Sequence, residues 1–359
     1  MSTAPAPIAS HPPTAPVIPA AERNNNFNFL RLLFASLVLV SHGVEIVDGD
    51  RHREPLTYLF GTHSLGELAV DGFFLLSGYL IIRSWQHKPV LKDFLLKRIR
   101  RIYPGYLVAF GLCVCVLAPL GAASVSGYLA ELSFPSLLKQ AALLQMPATP
   151  PIFGGRPYPI INGAMWTITF EFRCYLLVAL IGLLGASRQQ VIWGTLFLVS
   201  LGLTLLPAVL PSAVTLVHLA SHPIARLLPY FGAGACFHLF RRHIVYKGTY
   251  AAIAAIIVVA SLFRFGLSAL ALPTFGGYCL FWMAYAHLPF LRYFTRSHDI
   301  SYGVYLYGWP IQKLMTWYFP SISPWALLLP MFLLSLLAGY ASWQLIESRF
   351  LQRRRLAIG

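Results

Sequence analysis

Arg31 and His42 stand eleven residues apart in an otherwise apolar stretch, FLRLLFASLVLVSH. On a helix this spacing leaves an angular offset of about 20° and a separation of about 16 Å, so both side chains lie on one stripe. Ionisable groups are expensive in hydrocarbon, and each is a candidate functional residue. Imidazole is the usual general base, and guanidinium suits carboxylates and phosphates. Asp71, in GELAVDGFFLLSGYL, falls at a depth similar to that of His42, about 10 Å against 8 Å from the same boundary. An imidazole–carboxylate pair is therefore geometrically possible, and such a carboxylate would fix the tautomer of a base acting on a hydroxyl. A buried His and a buried Asp that each satisfy a neighbouring helix fit the same positions. Glu171, in AMWTITFEFRCYL, has Arg173 two residues on. Residues i and i+2 do not face each other, so these charges need other partners. Glu171 is thus a candidate for orienting a substrate hydroxyl or a catalytic side chain, or for an interhelical ion pair.

Two further segments carry chemistry-bearing residues. FLLKRIRRIYPGYL places Lys97, Arg98, Arg100 and Arg101 just before an apolar run. Membrane orientation alone accounts for basic residues there, and a dense cluster aimed into a helix bundle would also bind the phosphates of a nucleotide cofactor. DISYGVYLYGWPIQK brings Tyr302, Tyr305, Tyr307 and Trp309 to a helix interface or a sugar-stacking face, with Pro310 disturbing the helix.

The elements that hold these residues are set by composition. Of 359 residues, 57% are hydrophobic and 11% charged, with a mean hydropathy of +0.65. That lies outside the range of soluble domains, so the solvent for most of the chain is lipid. The formal net charge of +15 is then read by location and does not point to nucleic acid. The five cysteines fall in apolar stretches without metal-ligand spacing and read as packing residues, and no metal is expected.

Apolar runs long enough for a ~30 Å hydrocarbon core divide the chain into about ten helices. They lie near 29–47, 64–82, 103–121, 162–185, 190–207, 225–240, 249–266, 268–286, 300–318 and 324–346. With the N-terminus cytoplasmic, most of the 27 Lys and Arg fall on the inside, including Arg23, Arg292, Arg296 and Arg353 to Arg355. The sequence predicts an all-α polytopic membrane bundle with both termini cytoplasmic. Residues 1–22, rich in Ala and Pro, are expected to be a flexible cytoplasmic tail, 23–351 the membrane domain and 352–359 a basic tail. The long outside segment, about 122–161, is expected to be functional or a lid.

Taken in order, these segments resemble the acyltransferase-3 family of integral-membrane acyltransferases, over about residues 24–351. The resemblance rests on Arg31 and His42 in FLRLLFASLVLVSH, on VDGFFLLSGYLI with its Asp71, and on KRIRRIYP. It continues through WTITFEFRCYLL with Glu171 and ends at WQLIESRF with Trp343 and Glu347. It implies transfer of an acyl group, usually acetyl, from cytoplasmic acyl-CoA to a hydroxyl of a glycan or glycolipid. The setting would be a bacterial inner membrane, with a homo-oligomer or a separate extracytoplasmic protein as further partners. By resemblance His42 leads the catalysis and Arg31 positions the donor; Asp71 and Glu171 complete the expected catalytic set. Arg98, Arg100 and Arg101 would meet the CoA phosphates. Direct transfer with His42 as base and a transient acyl-histidine both fit. Many members carry His before Trp-Pro, where this chain has Gly308, and the Pro that usually follows the closing Glu is replaced by Ser348. A transporter of a glycan or acylated metabolite is the alternative reading; it calls for internal repeats, which the two halves do not show. A binding or sensor protein would use the polar stripe only as an interhelical network.

Overall fold

The computed structural model describes residues 25–209, 222–288, 291 and 299–352. The expected tail at 1–22, nearly all of that at 352–359, and Arg23, Arg292, Arg296 and Arg353 to Arg355 of the charge argument lie outside them. The described residues are helical with no strand, as an all-α bundle requires.

The principal helices are α1 (Phe27–Asp48), α2 (Pro55–Phe60), α3 (Leu65–His87), α4 (Leu91–Leu120), α5 (Val125–Glu131) and α6 (Phe134–Ala142). There follow α7 (Trp166–Leu184), α8 (Gln189–Val209), α9 (Pro223–Leu239) and α10 (Gly248–Ser261). The chain ends with α11 (Phe265–Tyr285), α12 (Ser301–Tyr318) and α13 (Pro324–Leu351). A helix occupies each stretch expected from the apolar runs. Six of them, α1, α3, α4, α7, α11 and α13, are long and apolar enough to cross a membrane. Their outward faces carry exposed Leu180, Leu183, Leu267, Leu329, Leu333 and Leu337, which suits contact with lipid tails.

One element differs from expectation in a way that matters for the site. The basic segment expected just before a helix starting near 103 belongs to that helix, because α4 begins at Leu91 and runs through it. Within that helix Phe94, Ile102 and Gly105 are buried, a spacing that marks the inward stripe. Arg98 and Arg101 fall on this stripe, whereas Arg100 is exposed.

Local chemistry sets the helix ends. Ser64 and Glu67 form a reciprocal capping box at the start of α3. Asn26, at the start of α1, donates from Nδ2 to the carbonyls of Met283 (2.9 Å) and Ala286 (3.0 Å), so the end of α11 finds donors for carbonyls that its own helix leaves open. The five cysteines are all free, as the packing reading expects.

The tightest contact is the crossing of α3 and α9. A Cβ at Gly78 would lie 2.0 Å from the Phe231 carbonyl oxygen, and one at Gly234 would lie 2.0 Å from that of Leu75. Two backbones meet where lipid gives no hydrophobic drive between helices, and small residues supply the close packing instead. Gly78→Ala and Gly234→Ala should each destabilise the protein by about 1–3 kcal/mol or more, by forcing the helices apart. Gly111→Ala, where nothing lies within 4 Å of the added carbon, should leave stability unchanged or raise it. Thermal unfolding of the purified variants in one detergent checks both.

Candidate active site

Arg31 and His42 occupy one stripe of α1, as their spacing predicts, and both face α12 and the residues just before it. At one end Arg31 pairs with Asp299 at 3.1 Å. At the other the His42 ring meets Trp309 edge-on, with centroids 4.7 Å apart at 80°. His42 is half-buried, and among the described residues its imidazole has no hydrogen-bonding partner.

The His42–Asp71 pair that the spacing allowed is not formed; the alternative, a buried Asp satisfied by a neighbouring helix, is what the structure shows. Asp71 is buried against α9, where its Oδ1 accepts from Arg226 Nη2 at 2.8 Å. Neither depth nor angle matches: Gly66 lies against Ser41 and Gly72 against Phe34, which sets Asp71 about six residues, or ~9 Å, along α3 from the level of His42, and it is Phe73, 200° round the helix, that touches Phe34 at 5.5 Å. Asp71 therefore compensates Arg226 across the α3–α9 crossing and does not contact the imidazole.

Around Arg31 the bundle opens into a cavity of about 420 Å³. Arg31, Lys97, Arg98, Arg100 and Arg101 line it against only two carboxylates, Glu171 and Asp299. All four arginines expected at a donor site are thus brought together, on two different helices. Their partners are unequal. Arg101 is held by Asp299 at 2.5 Å and by Glu347 at 3.4 Å, so one carboxylate bridges Arg31 and Arg101. Burial alone would raise the pKa of Asp299, but the Arg101 and Arg31 guanidiniums overcome this and hold it down at about 2. Arg98 has no ion pair among the described residues. Its guanidinium lies over the rings of Phe94 (5.9 Å) and Tyr175 (5.8 Å), and its buried Nε has no hydrogen-bond partner. Arg100 likewise has no ion pair among the described residues.

Glu171 faces this cavity, away from His42. It accepts from Ser77 Oγ at 3.2 Å and from the Tyr175 hydroxyl, and it makes no ion pair with Arg173, which points outward over Phe170 at 5.2 Å. Beyond it Thr167 and Tyr305 share a hydrogen bond of 2.7 Å, and the Tyr305 hydroxyl also reaches the Ala164 carbonyl at 2.7 Å. Both side chains line the inner part of the cavity. Tyr305 and Trp309 are one turn apart on α12, so the cavity ends about 6 Å along the axis from the residue that seats His42. The aromatic residues of DISYGVYLYGWPIQK are interface residues in this sense.

Sequence reasoning passed over Asp299, Tyr175 and Ser77. Asp299 had a signal, since it opens the segment whose aromatics were singled out, but only the fold reveals that two arginines from distant helices converge on it. Gly308 packs closely on α1: a Cβ there would lie 2.7 Å from Leu39 Cδ1, so a larger side chain would need the Leu39 side chain to move.

Asp299→Asn would leave Arg31 and Arg101 adjacent with one carboxylate fewer. Because breaking a buried pair strands the remaining charge, it should cost about 3–5 kcal/mol. A drop in melting temperature in detergent, larger than that for Asp50→Asn on the exposed surface, is the expected result.

The chain is similar to several characterised proteins. It is 29% identical to the O-acetyl transferase of Shigella phage Sf6 over 348 residues, which cover 92% of this chain and 97% of that protein. It is 32% identical to Nodulation protein 10 of Rhizobium leguminosarum bv. viciae over 163 residues, 42% of each chain. It is 31% identical to Acyltransferase MdmB of Streptomyces mycarofaciens over 121 residues, 33% of this chain and 29% of that one. No solved structure matches. The family model described as an acyltransferase domain matches residues 24–344, from just before Arg31 to one residue past Trp343. The chain therefore belongs to the acyltransferase-3 family of integral-membrane acyltransferases, enzymes that transfer acyl groups.

Proposed function

We propose that this enzyme moves an acyl group, in the first instance acetyl, from acyl-CoA to a hydroxyl of a cell-surface glycan or its lipid-linked precursor. The observation that carries the donor assignment is the charge of the cavity: five cations line it against two carboxylates, with Glu347 behind Arg101 a third, while Arg98 is held on aromatic faces with its Nε unsatisfied. Such an excess suits a ligand with several phosphates, and guanidinium binds phosphate through paired hydrogen bonds. Arg98 and Arg100 would take the phosphates, since Arg31 and Arg101 already share Asp299. Acyl-CoA supplies an acyl carbon activated as a thioester.

His42 would act as general base. It takes the proton of the acceptor hydroxyl as that oxygen bonds the acyl carbon, and returns it to the departing sulfur as the carbon–sulfur bond breaks. A half-buried imidazole without a hydrogen-bonding partner in the described residues is open to such a contact. Glu171, Tyr175 and Ser77 lie between the cations and Tyr305, where they would orient the part of the donor that passes through the bundle. We place the basic cavity on the cytoplasmic side of a bacterial inner membrane, both termini cytoplasmic, with His42 toward the outer acceptor. The O-acetyl transferase name of the phage relative supports acetyl as the group moved.

Purified protein in detergent should bind acetyl-CoA, measured by isothermal titration. Arg98→Ala should weaken that binding about tenfold to a hundredfold, the worth of one or two charge-assisted hydrogen bonds. His42→Ala should leave it within about twofold while abolishing transfer. Unchanged affinity in Arg98→Ala would remove the cavity from donor binding.

A further inference from the structure

Trp309, the residue that seats His42, also meets Tyr158 of the irregular segment 143–162, at 5.9 Å and 82°. This segment contains all the non-glycine residues with left-handed backbone among those described: Leu144 (φ 56°), Phe153 (φ 55°) and Tyr158 (φ 53°). L residues adopt that conformation only where the surroundings compensate for it. The compensation is visible. Phe153 N donates to the Gly121 carbonyl at 2.8 Å, and its ring fills the space that a Cβ at Gly121 would need. Asn162 Nδ2 donates at 2.8 Å to the Leu306 carbonyl, which Pro310 deprives of its helical donor. Trp309 Nε1 donates to the Ile160 carbonyl at 3.4 Å.

The strongest tie comes from Lys313, one turn beyond Trp309. It is 1% exposed, and no carboxylate pairs with it among the described residues. Its ammonium donates to the Pro157 carbonyl at 2.7 Å and lies 4.8 Å from the centre of the Phe153 ring. A buried charge costs much unless its partners are good, and both partners of this one belong to the loop. Trp309, Pro310 and Lys313 thus each receive a different part of one segment.

We infer that Lys313 is a positioning residue that clamps the 143–162 segment over Trp309 and His42, and that the clamped segment shields the imidazole from bulk water. The inference rests on the acyl transfer proposed above, where a shield has a use. Beside a base, water competes with the acceptor hydroxyl: its oxygen bonds the acyl carbon, the carbon–sulfur bond breaks, and its proton passes through His42 to the sulfur, releasing free acid and CoA. Excluding water suppresses this loss.

The test compares full-length wild type, Lys313→Met and Lys313→Arg in detergent. Lys313→Met keeps an apolar body against Phe153 but loses the donor, whereas Lys313→Arg keeps a donor. The first readout is the rate at which diethyl pyrocarbonate labels His42, followed by mass spectrometry, with exposed His52 as internal reference. His42 labelling should rise about tenfold in Lys313→Met, the population shift expected from losing one charge-assisted hydrogen bond, and stay near wild type in Lys313→Arg. If Lys313→Met does not fold, Tyr158→Ala, at a half-exposed position of the same segment, should give the same rise. Unchanged His42 labelling in a folded variant would overturn the clamp. The second readout is acceptor-free hydrolysis of acetyl-CoA, which should rise with labelling in Lys313→Met and vanish when His42→Ala is added. A rise in labelling without hydrolysis would uphold the clamp and remove His42 from the proposed chemistry.

Discussion

Asp299 lies between Arg31 and Arg101 and fixes three parts of the chain at one point: the start of α1, the basic stretch of α4 and the entry to α12. Glu347 adds α13 through the same Arg101. In hydrocarbon no solvent can take over such contacts, so charges inside the bundle must find one another, and helices go where their charges are met. The cluster is not self-neutralising at its edge. Arg98 and Arg100 bring positive charge that the carboxylates nearby do not cancel, and the same arrangement that locks four helices leaves a basic cavity open between them.

From that cavity the geometry runs in one direction. The α1 stripe leads from Arg31 to His42, and α12 runs beside it from Asp299 through Tyr305 to Trp309. The Arg31 end of the basic cavity and His42 are therefore kept about 16 Å apart along α1, with Glu171, Tyr175 and Thr167 lining the cavity between. In the proposed reaction, a donor long enough to bridge them would keep its phosphates at one end of the bundle while its acyl group meets the acceptor near the other. Beyond His42 the chain changes character. The 143–162 segment is irregular backbone held against the ends of helices, which a membrane protein tolerates only where protein or water satisfies it.

Much of this was legible in the sequence because hydrophobic run length and helix period are strong signals. The helices and the Arg31–His42 stripe follow from them, and so does the failure of Glu171 and Arg173 to pair. Partner choice between helices was not legible. Asp71 and His42 match in depth only when counted from the expected boundary; the packing of Gly66 on Ser41 and Gly72 on Phe34 sets them at different levels, and the face of α3 that carries Asp71 turns to α9, where Gly78 and Gly234 let the backbones close and Arg226 reaches it. Which face meets which neighbour is decided by such packing, and a single sequence does not contain it in readable form. The start of α4 was not legible for a related reason. A charge run falls outside an apolar span by hydropathy, but Phe94, Ile102 and Gly105 continue the buried stripe through it and make Arg98 and Arg101 inward-facing.

The central claim is that this enzyme transfers an acyl group to a surface glycan hydroxyl with His42 as the general base. The most direct measurement is mass spectrometry of surface glycans from cells lacking the protein and complemented with wild type or His42→Ala at equal membrane levels. The account predicts acetyl ester with wild type and none with His42→Ala. Acetyl ester restored in full by His42→Ala would contradict it.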